Sequence, residues 1–85
     1  MVVYKNGIKI TSLDSFFAIT PSNSVDLAQP TIAIYLGTPG DLKIDAAETG
    51  TEITFKNLAN GVFHPIRAKK VYATGTSASD IIGGF

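Results

Sequence analysis

The stretch that decides the fold reads Thr31-Ile32-Ala33-Ile34-Tyr35-Leu36-Gly37-Thr38-Pro39-Gly40-Asp41-Leu42-Lys43-Ile44-Asp45. Side chains alternate along an extended chain, so Ile32, Ile34 and Leu36 share one side and Ala33 and Tyr35 the other. Apolar residues on both sides predict a central strand, or one whose second face meets a neighbour. Thr38-Pro39-Gly40-Asp41 predicts a type II turn, with Pro39 presetting φ and Gly40 supplying positive φ after it. Leu42 and Ile44 then alternate with Lys43 and Asp45 in a returning strand. The loop 46–50 leads into Glu52-Ile53-Thr54-Phe55-Lys56, where Ile53 and Phe55 point inward. Residues 31–56 are therefore expected to form a three-stranded meander.

The same punctuation continues on both sides. Asn6-Gly7 lies between Val2-Val3-Tyr4 and Ile8-Lys9-Ile10, and Asn-Gly readily takes the positive φ angles of a two-residue hairpin. Phe16–Thr20 reads as a strand closed by Pro21-Ser22-Asn23-Ser24, and 25–30 as an extended crossing with room for one helical turn. After a turn at 57–61 and Phe63-His64-Pro65, the segment 66–74 changes phase: Ile66 and Ala68 have one parity, Val71 and Ala73 the other. A β-bulge at Lys69-Lys70 would bring all four to one face and leave both lysines in water. The pattern predicts an all-β fold, a small single-domain antiparallel β-sandwich or barrel with short hairpins. The expected domain covers 1–85, with an N-terminal hairpin at 1–12, a β core at 13–82 and a C-terminal tail at 83–85.

Eighty-five residues leave room for one core, and a domain of that size buries only about 60–65% of its unfolded surface. With no cysteine present, disulfides, thiolate metal sites and thiol catalysis are excluded. Hydrophobic residues make up 45% of the chain and charged residues 16%, so some apolar surface is left for association to cover. Seven basic and seven acidic side chains balance to zero, which argues against nucleic acid, whose recognition rests on basic surface. No run of about 18 apolar residues is present to span a membrane. The first residues lack the apolar core and cleavage site of a secretory signal, so synthesis is expected in the cytoplasm.

The search for chemistry yields no catalytic, cofactor or metal residues. His64 is the sole histidine, and a triad needs a nucleophile and an orienting acid beside it. Ser15, Ser22, Ser24, Asp14 and Asp80 carry no local motif that marks them. One histidine without cysteine does not make a zinc site. Asp41, Asp45 and Glu48 lack the ordered spacing of a calcium loop, and the glycines sit at turns rather than in a phosphate-binding loop. Two features point instead to contact surfaces. Arg67, Lys69 and Lys70 form the one basic cluster, either an electrostatic contact or a strand edge protected by charge. Ile81, Ile82 and Phe85, with Gly83-Gly84, form an apolar end that either closes the core or docks on a neighbouring subunit. These six residues, Arg67, Lys69, Lys70, Ile81, Ile82 and Phe85, are the candidate interface to a neighbouring subunit or another partner.

Several motifs follow one another along the chain: Phe17-Ala18-Ile19-Thr20-Pro21-Ser22 with Asp26-Leu27; Ala33-Ile34-Tyr35-Leu36-Gly37-Thr38-Pro39-Gly40-Asp41-Leu42; Thr54-Phe55-Lys56-Asn57 with Gly61; Pro65-Ile66-Arg67 and Lys70-Val71; and Ala73-Thr74-Gly75-Thr76-Ser77-Ala78-Ser79-Asp80-Ile81. In this order and spacing the chain resembles the small spike base proteins of gene transfer agents and related tailed phages. Residues 1–14 lie outside the resemblance, and Gly83-Gly84-Phe85 departs from the family's usual ending. The resemblance implies a non-catalytic virion protein on the capsid exterior, a spike base or decoration (cement) protein. Its implied partners are further copies of itself, as a pentamer or trimer, the major capsid protein and a spike fibre protein. It implies no cofactor. Two other readings are open: a carbohydrate-binding module stacking sugars on Tyr4, Tyr35 or Tyr72, and a small hydrolase dependent on His64.

Overall fold

The structure is a computed structural model that describes residues 3–5, 8–10 and 13–85. Among the described residues there are nine strands: β1 (Val3–Lys5), β2 (Ile8–Ile10), β3 (Phe16–Ala18), β4 (Ala33–Thr38), β5 (Gly40–Ala46), β6 (Glu52–Leu58), β7 (Phe63–His64), β8 (Ala68–Val71) and β9 (Ser79–Gly84). Among the described residues there is no helix, so none is long enough to cross a membrane. A four-stranded sheet in the order β3-β9-β4-β7 packs on a three-stranded sheet in the order β6-β5-β8, and every pairing is antiparallel. The expected all-β sandwich is observed. The N-terminal strands pair with each other, Lys5 opposite Ile8, as the hairpin reading requires; the Asn6-Gly7 turn itself lies outside the described residues.

The core forms where the inner faces of the two sheets meet. Ile34 and Leu36 from β4 and Ile81 from β9 face Leu42 and Ile44 from β5 and Ala68 and Val71 from β8. All seven are at most 3% exposed. Thr31 joins the layers just ahead of β4: its hydroxyl donates to the Ile66 carbonyl at 2.8 Å and accepts from the Ala68 N–H at 3.0 Å. Ladder groups at the outer edge of β8 are taken by the crossing segment, with Ser22, Leu27 and Thr31 N–H groups donating to the carbonyls of Val71, Lys69 and Ala68. That segment is extended, without a helical turn.

The meander expected over 31–56 is corrected by the structure. β5 and β6 pair, but β4 belongs to the other sheet, where it pairs with β9 and β7. The expected type II turn is absent, because Gly40 is close to fully extended at φ 158° instead of near the +80° such a turn requires. The chain therefore passes from one layer to the other at Pro39. The segment ahead of β9 runs between the two strands. Thr38 pairs with Ser79, while the Ser77 and Ala78 N–H groups donate to the Asp41 carbonyl at 2.9 and 3.2 Å. A Cβ on Gly40 would lie 2.7 Å from Ser77 Oγ and 2.8 Å from the Ala78 nitrogen, so glycine is there for close approach of two backbones.

The bulge expected at Lys69-Lys70 is present. Lys70 pairs with Asp45 but Ala68 pairs with Ala46, leaving Lys69 as the extra residue, and Ala68 and Val71 both face the core. Two details differ. Ala73 is exposed because β8 ends at Val71, and Lys70 is drawn into ion pairs rather than left in water.

The C-terminal tail is the second correction. Gly83 and Gly84 lie inside β9, paired on one side with Phe17 and Phe16 and on the other with Ile34 and Ala33. Phe85 continues the ladder, its N–H donating to Ser15 O at 2.8 Å and its carbonyl accepting from Ser15 N at 3.1 Å. Of the two readings left open by the sequence, this is the closing strand.

Candidate interaction site

The two sheets do not match in extent. β6 runs for seven residues, whereas β7, on the opposite layer, has two. Pro65 accounts for the shortness: it has no N–H for the ladder and fixes φ, so a strand stops ahead of it. The Ile66 N–H turns back to the His64 carbonyl at 2.7 Å. Ile53, on the inward side of β6 opposite Ile44, is consequently 40% exposed. The result is a cleft of about 350 Å³ between the sheets. Ile44, Ile53, Phe55 and Leu58 line one wall, and His64, Pro65, Ile66 and Arg67 the other.

A second apolar surface covers the outer face of the four-stranded sheet. Cross-strand pairing aligns Phe16 with Gly84 and Ala33, and Ala18 with Ile82, Tyr35 and Phe63. Small residues in the middle of the first row let the Phe16 ring lie over Gly84. Its centroid is 5.7 Å from that of Phe63, which lies 5.3 Å from Tyr35, within the usual range for aromatic pairs. Phe16 is 54% and Phe63 42% exposed. β7 joins the two surfaces, since Phe63 faces the aromatic patch and His64 the cleft.

The three residues of the basic cluster have different surroundings. Lys70 lies 3.7 Å from Asp45 and 3.8 Å from Asp26, the tip of Lys69 reaches toward Gly50, and Arg67 is exposed at the rim of the cleft. Of the apolar end, Ile81 is buried in the core and presents no surface to a partner. Ile82 is half-buried within the aromatic face, and Phe85 packs edge-on against Phe17 at 5.9 Å.

Tyr35 and Tyr72 lie on different surfaces. Tyr35 belongs to the aromatic face, whereas Tyr72 lies beside the three-stranded sheet with the Lys43 and Lys70 ammonium groups 4.9 and 5.3 Å from its ring centre; the Tyr4 side chain is outside the described residues. The Tyr72 hydroxyl donates to Asp45 at 2.8 Å. That hydrogen bond, with burial and the charges of Asp45, Glu52 and Asp26, raises its pKa from 10.0 to about 12. The folded state therefore favours the protonated phenol: the contribution is whole below pH 10 and is lost as pH rises from 10 to about 12. Tyrosinate absorbance of wild type minus Tyr72→Phe is expected to show a midpoint near 12; a midpoint at 10 would mean that the hydrogen bond is absent in solution.

His64 Nε2 is 2.8 Å from the Ala59 carbonyl, a contact that ties the 59–64 turn to its strand. Among the described residues no group of three or more His, Cys, Asp or Glu side chains could hold a metal ion. Asp41 has a structural role. Its carboxylate accepts from the Asn57 N–H at 3.0 Å and Lys56 Nζ at 3.3 Å, and its N–H donates to Ser77 Oγ at 2.9 Å. The Asn57 N–H, followed by Lys56, holds the Asp41 pKa below the usual carboxylate value against opposing desolvation. The Gly40-Asp41 and Thr76-Ser77-Ala78 motifs are thus the two sides of one backbone junction.

Sequence reasoning missed Phe16, Phe63 and the cleft. A signal was available for the first: in the adjacent pair Phe16-Phe17, strand alternation must turn one ring outward.

Fold and site together define a class: a small all-β domain with two apolar surfaces exposed among its described residues and with Asp41 and Ser77 committed to holding a backbone junction. Similarity then narrows the class. No protein-family model matches the sequence, and no curated protein matches it. A chain of the solved structure "Capsid of native GTA particle computed with C5 symmetry" is 35% identical, superposes with a TM-score of 0.76, and is matched over 87% of the present chain and 84% of its own. The chain belongs to the family of this gene transfer agent (GTA) capsid-particle protein.

Proposed function

We propose that the chain is a structural protein of a phage-like particle, a spike base or decoration protein on the capsid exterior that acts by adhesion and catalyses nothing. The observation that carries this reading is the 35% identity, over 87% of the chain, to a component of a capsid particle. The two uncovered apolar surfaces support it. Each half-exposed phenylalanine leaves on the order of 100 Å² in water, or about 2–3 kcal/mol of burial not yet realised, and association is the way to realise it. The proposed partners are further copies of the chain, the major capsid protein beneath, and a spike fibre above. The related capsid was computed with C5 symmetry, and five copies around such an axis are the proposed arrangement, with three as the alternative.

The test is native mass spectrometry of the purified chain, followed by co-sedimentation with capsids of the particle that encodes it. A homo-oligomer that sediments with capsids is expected. A monomer that stays in the supernatant at every ratio would overturn the reading.

A further inference from the structure

The cleft is a concavity between the sheets, the aromatic patch is the outer face of one of them, and β7 joins the two on adjoining sides of the sandwich. We infer that the aromatic face of one copy seats in the cleft of the next, head to tail, so that repeated contacts close a ring. This rests on the homo-oligomer reading above and adds which surface meets which.

Complementary chemistry carries the pairing. The cleft is apolar, and an apolar wall gains most from an aromatic occupant, which brings large area at low side-chain entropy. The one cation at its rim, Arg67, takes part in none of the ion pairs among the described residues. Beside the aromatic face Asp14, two residues ahead of Phe16, is likewise outside those ion pairs, and its described side-chain contact is a 3.5 Å hydrogen bond from its neighbour Ser15. Seating Phe16 and Phe63 in a neighbour's cleft brings Asp14 of one copy toward Arg67 of the other. It also offers the guanidinium an aromatic ring to lie over. Aromatic face paired with aromatic face would instead leave the cleft unfilled and Arg67 without an acidic partner.

The cleft opens along the side of the sandwich between β6 and β7, and the aromatic patch is its adjoining face. Surfaces that do not lie directly opposite each other turn a head-to-tail chain, and a turning chain can close into a ring. The related capsid was computed with C5 symmetry.

The experiment uses two exposed positions, one on each surface: Phe16→Glu and Ile53→Glu, with folding checked by circular dichroism. Each variant alone is expected to be monomeric where wild type is assembled. Mixed together, they are expected to form a 1:1 dimer and nothing larger, because one intact aromatic face meets one intact cleft. Assembly that survives either substitution, or a mixture without dimer, would overturn the pairing. Arg67→Glu and Asp14→Lys supply an independent arm: each raises the dissociation constant about tenfold or more and the double variant recovers most of the loss, whereas no recovery would count against the contact. A wild-type chain monomeric at about 100 µM would remove the homo-oligomer reading as well, whereas an assembly indifferent to these substitutions removes this inference alone.

Discussion

Leu36→Ala is expected to lower the stability of the chain by about 3 kcal/mol, within the roughly 2–5 kcal/mol range for truncating a buried leucine. Leu36 is 0% exposed and sits in the core beside Ile34, Leu42 and Ile81. It is paired across β9 with Ile81, so the backbone on which a collapse would have to occur is held in the middle of a sheet. The lost side chain therefore leaves a cavity as well as losing its transfer free energy. For a chain this short, each kcal/mol shifts the unfolding midpoint by about 4–8 °C, which places the variant roughly 12–24 °C below wild type. Thermal unfolding followed by circular dichroism measures this directly. A shift under about 4 °C would mean that the sheets pack less tightly than described.

The second large effect is expected from adding volume. Gly83 lies in β9 with its inner side against Phe17, Thr31 and Ile19; a Cβ there would stand 2.9 Å from Phe17 Cε1, 2.9 Å from Thr31 Cγ2 and 3.0 Å from Ile19 Cδ1. Valine at this position forces three groups apart at once. One of them, Thr31, holds two hydrogen bonds to the 66–68 segment that would be strained with it. Overpacking of a close-packed site costs about 1–3 kcal/mol and sometimes more, and strained buried hydrogen bonds add on the order of 1 kcal/mol each. Gly83→Val is thus expected to cost about 3–5 kcal/mol, a large part of the roughly 5–15 kcal/mol that holds a domain together. Urea unfolding is the measurement; a midpoint unchanged from wild type would show that residues 83–85 are not the sheet strand described.

Both predictions fall on residues whose importance differs in how it is read. Leu36 was marked for the core by alternation with Ile32 and Ile34, before any partner strand was known. Gly83 was read as part of a tail with two possible destinations, because a glycine carries no side chain whose polarity reports its surroundings. The same division runs through the site. The bulge at Lys69 was legible because two apolar parities on either side of a lysine pair can be reconciled only by an extra residue. The separation of Arg67 from Lys70 was not legible, since it depends on Asp26 and Asp45 arriving from other parts of the chain.

Alternation and turn chemistry are local properties, written in neighbouring residues, and from them the strands, the all-β class, the N-terminal hairpin and most of the core followed directly. Partner choice is not local. β4 pairs with β9, more than 40 residues away, rather than with β5 across Pro39, because the 77–79 segment supplies backbone hydrogen bonds to both sides of that junction and leaves no room for a turn. The cleft exists because β6 and β7 end at different lengths, and the aromatic face because cross-strand register gathers Phe16, Tyr35, Phe63 and Ile82 from distant segments; only the assembled layers reveal which apolar side chains are left without cover.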